Sequence, residues 1–446
     1  MQFYHLVKLA FSAAQSLTLG LTLGMTVGSA NGAPAAPVAA SKFYHGIVEL
    51  QSMRAHDALK AFYNGNLPKA QRMLRELDTM EDEDTLPPLS RLLVTAMHGL
   101  YLQRDDAGSP EEANRLRAAL DSAADKGLHK CADASMRAYA PTCMLIGGGI
   151  RGFRAILKLN TQSPAAVLHE GLEAVDLLEK GLTLDSTVRD VHLGLGIFNA
   201  MAASSSPRVV RAVLRAAGRG VSMDAGLAHL RRSGYEGQYT SVASQYYLIR
   251  FLLPYDDELR REKMEIFRSL RETYPLSSLN LFLQGHEMLA FYPDSFYRAR
   301  SRASLARRIR GVEPRDYAGQ RYLNLAKYQY TLLDPDPPGT LAPDTSFDLG
   351  GYAFYPAYIA ALRLRRTIQE AGPDAPDRAE QLKQLQAMRK KLLTRIRKTD
   401  LSTPNQGLYL WQVGEALRPE QFSNQSADTA VTISKDAGKS RKPPDK

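Results

Sequence analysis

Apolar residues recur along nearly the whole chain with a period of about 3.6 residues, and almost nowhere alternate with polar ones as a half-buried strand requires. Representative stripes are Leu172, Val175, Leu178 and Leu182, and further on Leu382, Leu385, Met388, Leu392 and Ile396. Breakers separate the stripes: Gly65-Asn66, Leu86-Pro87-Pro88, Gly127, Ser163-Pro164, Ser206-Pro207, Gly234, Tyr274-Pro275, Tyr292-Pro293 and Gly372-Pro373. The pattern predicts an all-α protein of roughly fifteen or sixteen helices joined by short turns, so that successive helices pair as hairpins. Two longer interruptions are expected. Thr79 to Thr85 is an acidic run that reads as a solvated loop, and Asp334 to Ser346 is a Pro-rich loop that is either functional or a surface insertion.

The segment Ala58 to Leu77, ALKAFYNGNLPKAQRMLREL, reads as one tetratricopeptide-like hairpin. Ala58 is small where two helices touch, Gly65 makes the turn, and Ala70, Leu74 and Leu77 line the inner face. One such pair cannot bury its stripe alone, so neighbours must stack on it. Looser versions at Ala166 to Asp185 and Gln284 to Ile309 extend this to an α-solenoid of degenerate tetratricopeptide-like helical hairpins over 41–422.

The flanks read differently. Residues 1–40 have a weakly positive start, an apolar run from Leu9 to Val27 and small residues through Ala40, the composition of an export signal and short linker. Cleavage is expected after Gly32 or Ala40, with a retained signal anchor as the alternative. No later segment is apolar enough to span a bilayer, so the mature chain is expected without a transmembrane span, in a periplasmic or envelope-associated location. Residues 423–446 are polar and basic and read as a disordered tail.

The formal net charge of +10 allows an acidic partner without naming one. Arg208, Arg211, Arg215 and Arg219 fall within about 80° of helical arc, opposite Val209, Val210, Val213 and Leu214. Such a face can dock carboxylates or phosphates in paired hydrogen bonds, or it can be a solvated outer surface. Further basic stretches run from Arg298 to Arg310 and from Arg389 to Lys398. Aromatics gather late, at Tyr317, Tyr322, Tyr328, Tyr330, Tyr352, Phe354, Tyr355 and Tyr358, with Arg321 and Trp411 as companions. They are either core or a partner-binding surface, and Arg321, Tyr322 and Tyr328 are the candidates for contact with a partner.

Gly147, Gly149 and Gly152 match the G-x-G-x-x-G spacing of a dinucleotide-binding turn. That fingerprint needs a preceding strand, and here Ile146, Ile150, Phe153 and Leu157 carry a helical stripe straight through it. The glycines, with Gly194 and Gly196, are therefore expected to let helix backbones approach closely, and no cofactor is expected. The eight histidines that follow His5 are scattered singly without the spacing of a helical zinc site, and no serine sits in a nucleophile turn, so neither a metal nor a catalytic residue is expected. Cys131 and Cys143 would lie about 18 Å apart on one unbroken helix, too far to bridge. A break at Pro141 would let them meet, so a disulfide and two separate buried thiols both stay open.

A more specific likeness lies between Gly148 and Ala290. Leu184-Asp185, Gly194, Gly196, Phe198, Pro207, Gly218, Asp224, Gly226, Leu230 and Tyr274-Pro275 resemble the pattern of the inclusion-body-clearance family of tetratricopeptide-like proteins and its bacterial relatives. The resemblance implies an all-α, non-enzymatic scaffold and transfers no catalytic residue. The expected function is then an exported scaffold holding a peptide or protein in its groove. The alternative is a peripheral envelope protein that docks on anionic lipid or glycan through its arginine faces. Nucleic acid is not an expected partner of an exported chain.

Overall fold

A computed structural model describes residues 48–158, 164–205, 214–215, 218–252, 257–291, 295–372 and 374–399, together with 401, 406, 409–410, 413–414 and 416–417. The expected signal segment 1–40, the tail 423–446, Arg208, Arg211 and Trp411 lie outside the described residues. Every regular element among those described is helical.

Ten helices run through the first part of the chain: α1 (Glu49–Tyr63), α2 (Leu67–Glu83), α3 (Leu89–Gln103), α4 (Pro110–Ala132), α5 (Ala140–Lys158), α6 (Pro164–Leu184), α7 (Val191–Ser205), α8 (Met223–Glu236), α9 (Ser241–Leu252) and α10 (Asp257–Thr273). Five more follow: α11 (Ser278–Phe291), α12 (Ser295–Gly311), α13 (Tyr317–Leu333), α14 (Tyr355–Ala371) and α15 (Arg378–Arg397). Short 3-10 turns occur at Ala134–Tyr139, Gly339–Leu341 and Gly350–Tyr352.

Local chemistry sets many of the boundaries. Asn66, Ser109 and Ser222 accept the backbone N–H three residues on, satisfying one of the donors that every helix start leaves open. Pro68 and Pro110 occupy first turns, where their missing N–H costs nothing. Gly65 turns α1 into α2 at φ +78, and Gly372 ends α14 at φ +80. The acidic run, by contrast, does not form the expected loop. Helix α2 continues to Glu83 because Glu81 falls on the buried stripe of Leu67, Ala70, Leu74 and Leu77 and finds hydrogen-bond donors there. Gly127 and Gly234, expected in turns, lie inside α4 and α8.

The described chain divides into two compact units, one up to Asn280 with Glu313–Gln320, the other Leu281–Val312 with the chain from Arg321 onward. In the first, α1 packs on α2, α2 on α3, α3 on α4 and α5, α5 on α6, α6 on α7, α7 on α8, α8 on α9 and α9 on α10. This unit also closes on itself. Ser52 of α1 accepts hydrogen bonds from Gln238 Nε2 at 2.9 Å and Tyr239 Oη at 3.0 Å, and Tyr63 packs against the rings of Tyr246 and Tyr274.

In the second unit, Leu281, Leu305, Ala306, Ile309, Ala326, Tyr330 and Leu341 form an apolar core. Leu341 brings the Pro-rich loop into that core, and Asn324 and Asp344 pin it with reciprocal hydrogen bonds of 2.8 Å.

Candidate functional site

Three places gather polar or reactive side chains, and only the third was singled out from the sequence. The first is a carboxylate junction at the end of α2. Glu81 is fully buried; Gln51 donates to its Oε1 at 2.7 Å, the Ser90 N–H donates to it at 3.0 Å, and Ser90 Oγ lies 2.5 Å from Oε2. Gln51 also donates to the Pro87 carbonyl at 2.8 Å, so one side chain of α1 ties together both ends of the α2–α3 turn. Burial pushes the Glu81 carboxyl up to about 7 in spite of its donors, and the nearby Asp78 adds to the shift.

The second is a histidine pair. His192 of α7 and His229 of α8 stack with Nδ1 atoms 2.9 Å apart. Burial, the neighbouring His229 and the arginines Arg232 and Arg189 hold His192 down at about 4. No group of three or more His, Cys, Asp or Glu able to hold a metal occurs among the described residues.

The third is the cysteine pair. Cys131 lies in the last turn of α4 and Cys143 in the first turn of α5, and their side chains interact with each other. Pro141 is not the break between them. Asp133 accepts the Ser135 N–H at 2.8 Å and starts the 3-10 turn Ala134–Tyr139, which reverses the chain before α5 begins.

The glycine motif sits wholly within α5, with no strand before it. A Cβ on Gly149 would lie 2.7 Å from Leu92 Cδ1, one on Gly194 2.5 Å from Leu178 Cδ1, and one on Gly196 2.7 Å from Leu230 Cγ. At Gly147 and Gly152 the nearest atoms are 3.4 and 3.9 Å away, so packing leaves room for a Cβ at those two. At Gly196 the added Cβ would also lie 3.0 Å from the Leu230 backbone nitrogen, and a neighbouring helix's backbone comes as close or closer at two positions that the spacing did not single out. At Gly148 an added Cβ would meet Ala174 O at 3.0 Å, and at Gly226 it would meet Ala200 N at 2.6 Å.

Of the arginine face, Arg215 is exposed, whereas Arg219 is bound by Asp176 and by Glu179 at 2.8 Å, both on α6. In the second unit Arg321 and Tyr322 do not face a partner as expected. They are 2% and 3% exposed, and the Arg321 guanidinium lies 5.0 Å from the Tyr322 ring and 4.8 Å from that of Tyr352. Phe282, Phe354, Tyr355 and Tyr409 complete this aromatic cluster, where ring faces stabilise the buried cation. Tyr328 is half-buried. No helix among the described residues is long and apolar enough to cross a membrane.

No family model matches the chain, and neither a curated protein nor a solved structure matches it.

Proposed function

We propose that the chain is an exported, non-enzymatic protein-interaction scaffold, an α-solenoid of degenerate tetratricopeptide-like hairpins that holds a peptide or protein segment in its groove. The observation that carries this reading is the packing of α1 to α10, each helix against the next in chain order, as in stacked hairpins. The hydrogen bond from Tyr239 to Ser52 ties the first helix of this array to the stretch after α8.

Among the described residues, Arg215 and Tyr235 offer exposed side chains to such a segment, Tyr235 at 62% exposure. A photo-crosslinker placed at Tyr235 is expected to capture one protein at stoichiometric yield, undiminished at high salt. Capture that disappears with salt, or labelling spread over many proteins, would refute the scaffold reading.

One observation favours the second reading, a peripheral protein on anionic lipid. Lys383, Lys390, Lys391, Arg395, Arg397 and Lys398 of α15 and its cap are all exposed, within about 160° of arc, opposite the buried Leu385, Leu392 and Ile396. No acidic residue occurs from Gln381 to Thr399. Each cation near an anionic bilayer contributes about 1 kcal/mol, so the triple change Lys390→Glu/Lys391→Glu/Arg395→Glu is expected to weaken binding to phosphatidylglycerol vesicles at least roughly a hundredfold. Equal binding by variant and parent would remove this reading and leave the scaffold untouched.

A further inference from the structure

We infer that Cys131 and Cys143 are a redox modification site, a dithiol that small disulfides convert to an internal disulfide stapling the end of α4 to the start of α5. The geometry brings the two thiols together without relying on any long-range contact. Asp133 caps the 3-10 turn, the turn packs on both α4 and α5, and Met136 within it is buried, so both cysteine-bearing helix ends are held against one short segment. Both are free thiols, and their side chains are close enough to interact directly.

The surroundings supply what thiol exchange needs. Cys143 occupies the first turn of a 19-residue helix, where the N-terminal dipole favours a thiolate. Interaction with the Cys131 thiol and the positive charge of Lys130 hold Cys143 below the ordinary thiol range, while the same interaction and burial push Cys131 up. Lys130 is itself fixed, donating to the Glu81 carbonyl at 2.8 Å and to Asp82 at 2.7 Å. Cys131 is the more exposed partner and gives the oxidant access.

The chemistry balances with a low-molecular-weight disulfide as oxidant. One protein thiolate displaces a thiolate from the oxidant and forms a mixed disulfide; the second protein thiolate then displaces the other half. The oxidant's S–S bond is exchanged for one between Cys131 and Cys143, the two electrons reduce the oxidant, and the two thiol protons end on the released thiols.

Oxidised glutathione is the probe. The native full chain is incubated with it, blocked with N-ethylmaleimide, and measured by intact mass and peptide mapping. The wild type is expected to lose two hydrogen atoms, to carry no glutathione, and to yield a cross-linked Cys131–Cys143 peptide. It should do so at oxidant concentrations about tenfold or more below those at which C131S or C143S carries glutathione, because its second step is intramolecular. Wild-type protein that accumulates glutathione on either cysteine without closing the bridge would overturn the assignment. So would thiols that stay alkylatable in the native chain under conditions that oxidise the same chain unfolded in urea.

Discussion

Replacing Gly226 with valine is expected to lower the stability of the first unit by about 3 kcal/mol or more, the upper end of the usual overpacking range. A Cβ at this position of α8 would lie 2.6 Å from the Ala200 backbone nitrogen and 2.9 Å from its Cα, so the obstruction is main chain and cannot rotate aside. Helices α7 and α8 would have to separate along a contact that now has no side chain between the backbones. Valine, branched at Cβ, adds two methyl groups and a restricted χ1 to the same clash. Gly152→Ala is the matched control, since its nearest neighbour, Ala174 Cβ, is 3.9 Å away. There the better helix propensity of alanine should leave stability unchanged or raise it by up to about 1 kcal/mol. Urea unfolding followed by circular dichroism decides the matter: equal midpoints for Gly226→Val and the parent would mean that α7 and α8 do not meet backbone to backbone.

The second large effect is in pH dependence. Burial raises the Glu81 carboxyl from its ordinary 4.5 to about 7. A carboxyl whose folded value is raised contributes stability that is fully present below about 4.5 and is lost as pH rises through about 7. Burial holds the proton against these donors, and the hydrogen-bond pattern can accommodate it. Ser90 Oγ lies 2.5 Å from Glu81 Oε2 and 3.0 Å from Asp78 Oδ1, and its single hydrogen cannot serve two carboxylates at once. With Glu81 protonated, its O–H donates to Ser90 Oγ and Ser90 donates to Asp78, so every contact is satisfied. Glu81→Gln keeps the shape and removes the titration. Between pH 5 and pH 8 the parent should therefore lose about 3 kcal/mol relative to the variant, a shift of that size being worth about 1.4 kcal/mol per unit. Asp316, raised by burial to about 6, titrates in the same window, but it does so in both proteins and cancels in the difference. Parallel stability curves for the two proteins across that range would show that Glu81 is ionised throughout.

Much of the architecture was legible because helical periodicity is local. The stripe Leu67, Ala70, Leu74 and Leu77, the Gly65 turn and the Pro68 start all follow from residues within one hairpin. Glu81 sits four residues after Leu77 on that same stripe; its position gave the signal, but a charge in an acidic run reads as solvated when the donors, Gln51 and Ser90, belong to other helices. One position of the arginine face shows the same limit. Arg219 is neutralised by Asp176 and Glu179, some forty positions earlier, which no helical projection of its own segment contains. Arg321 and Tyr322 show that aromatic spacing identifies a packed face without saying whether protein or partner packs on it. The meeting of Cys131 and Cys143 turned on a cap, Asp133, that spacing arguments assigned to Pro141 instead.

The hydrogen bond from Tyr239 to Ser52 joins residues 187 positions apart. Helix α1 is synthesised well before Gln238 and Tyr239, the two residues that donate to its Ser52. A chain emerging gradually from a ribosome would hold α1 and α2 as an incomplete hairpin, with Ser52 lacking these two donors, until the segment between α8 and α9 arrived. Closure of this loop is thus a late event in maturation, and a truncation ending before Gln238 would leave the opening helices without their last wall.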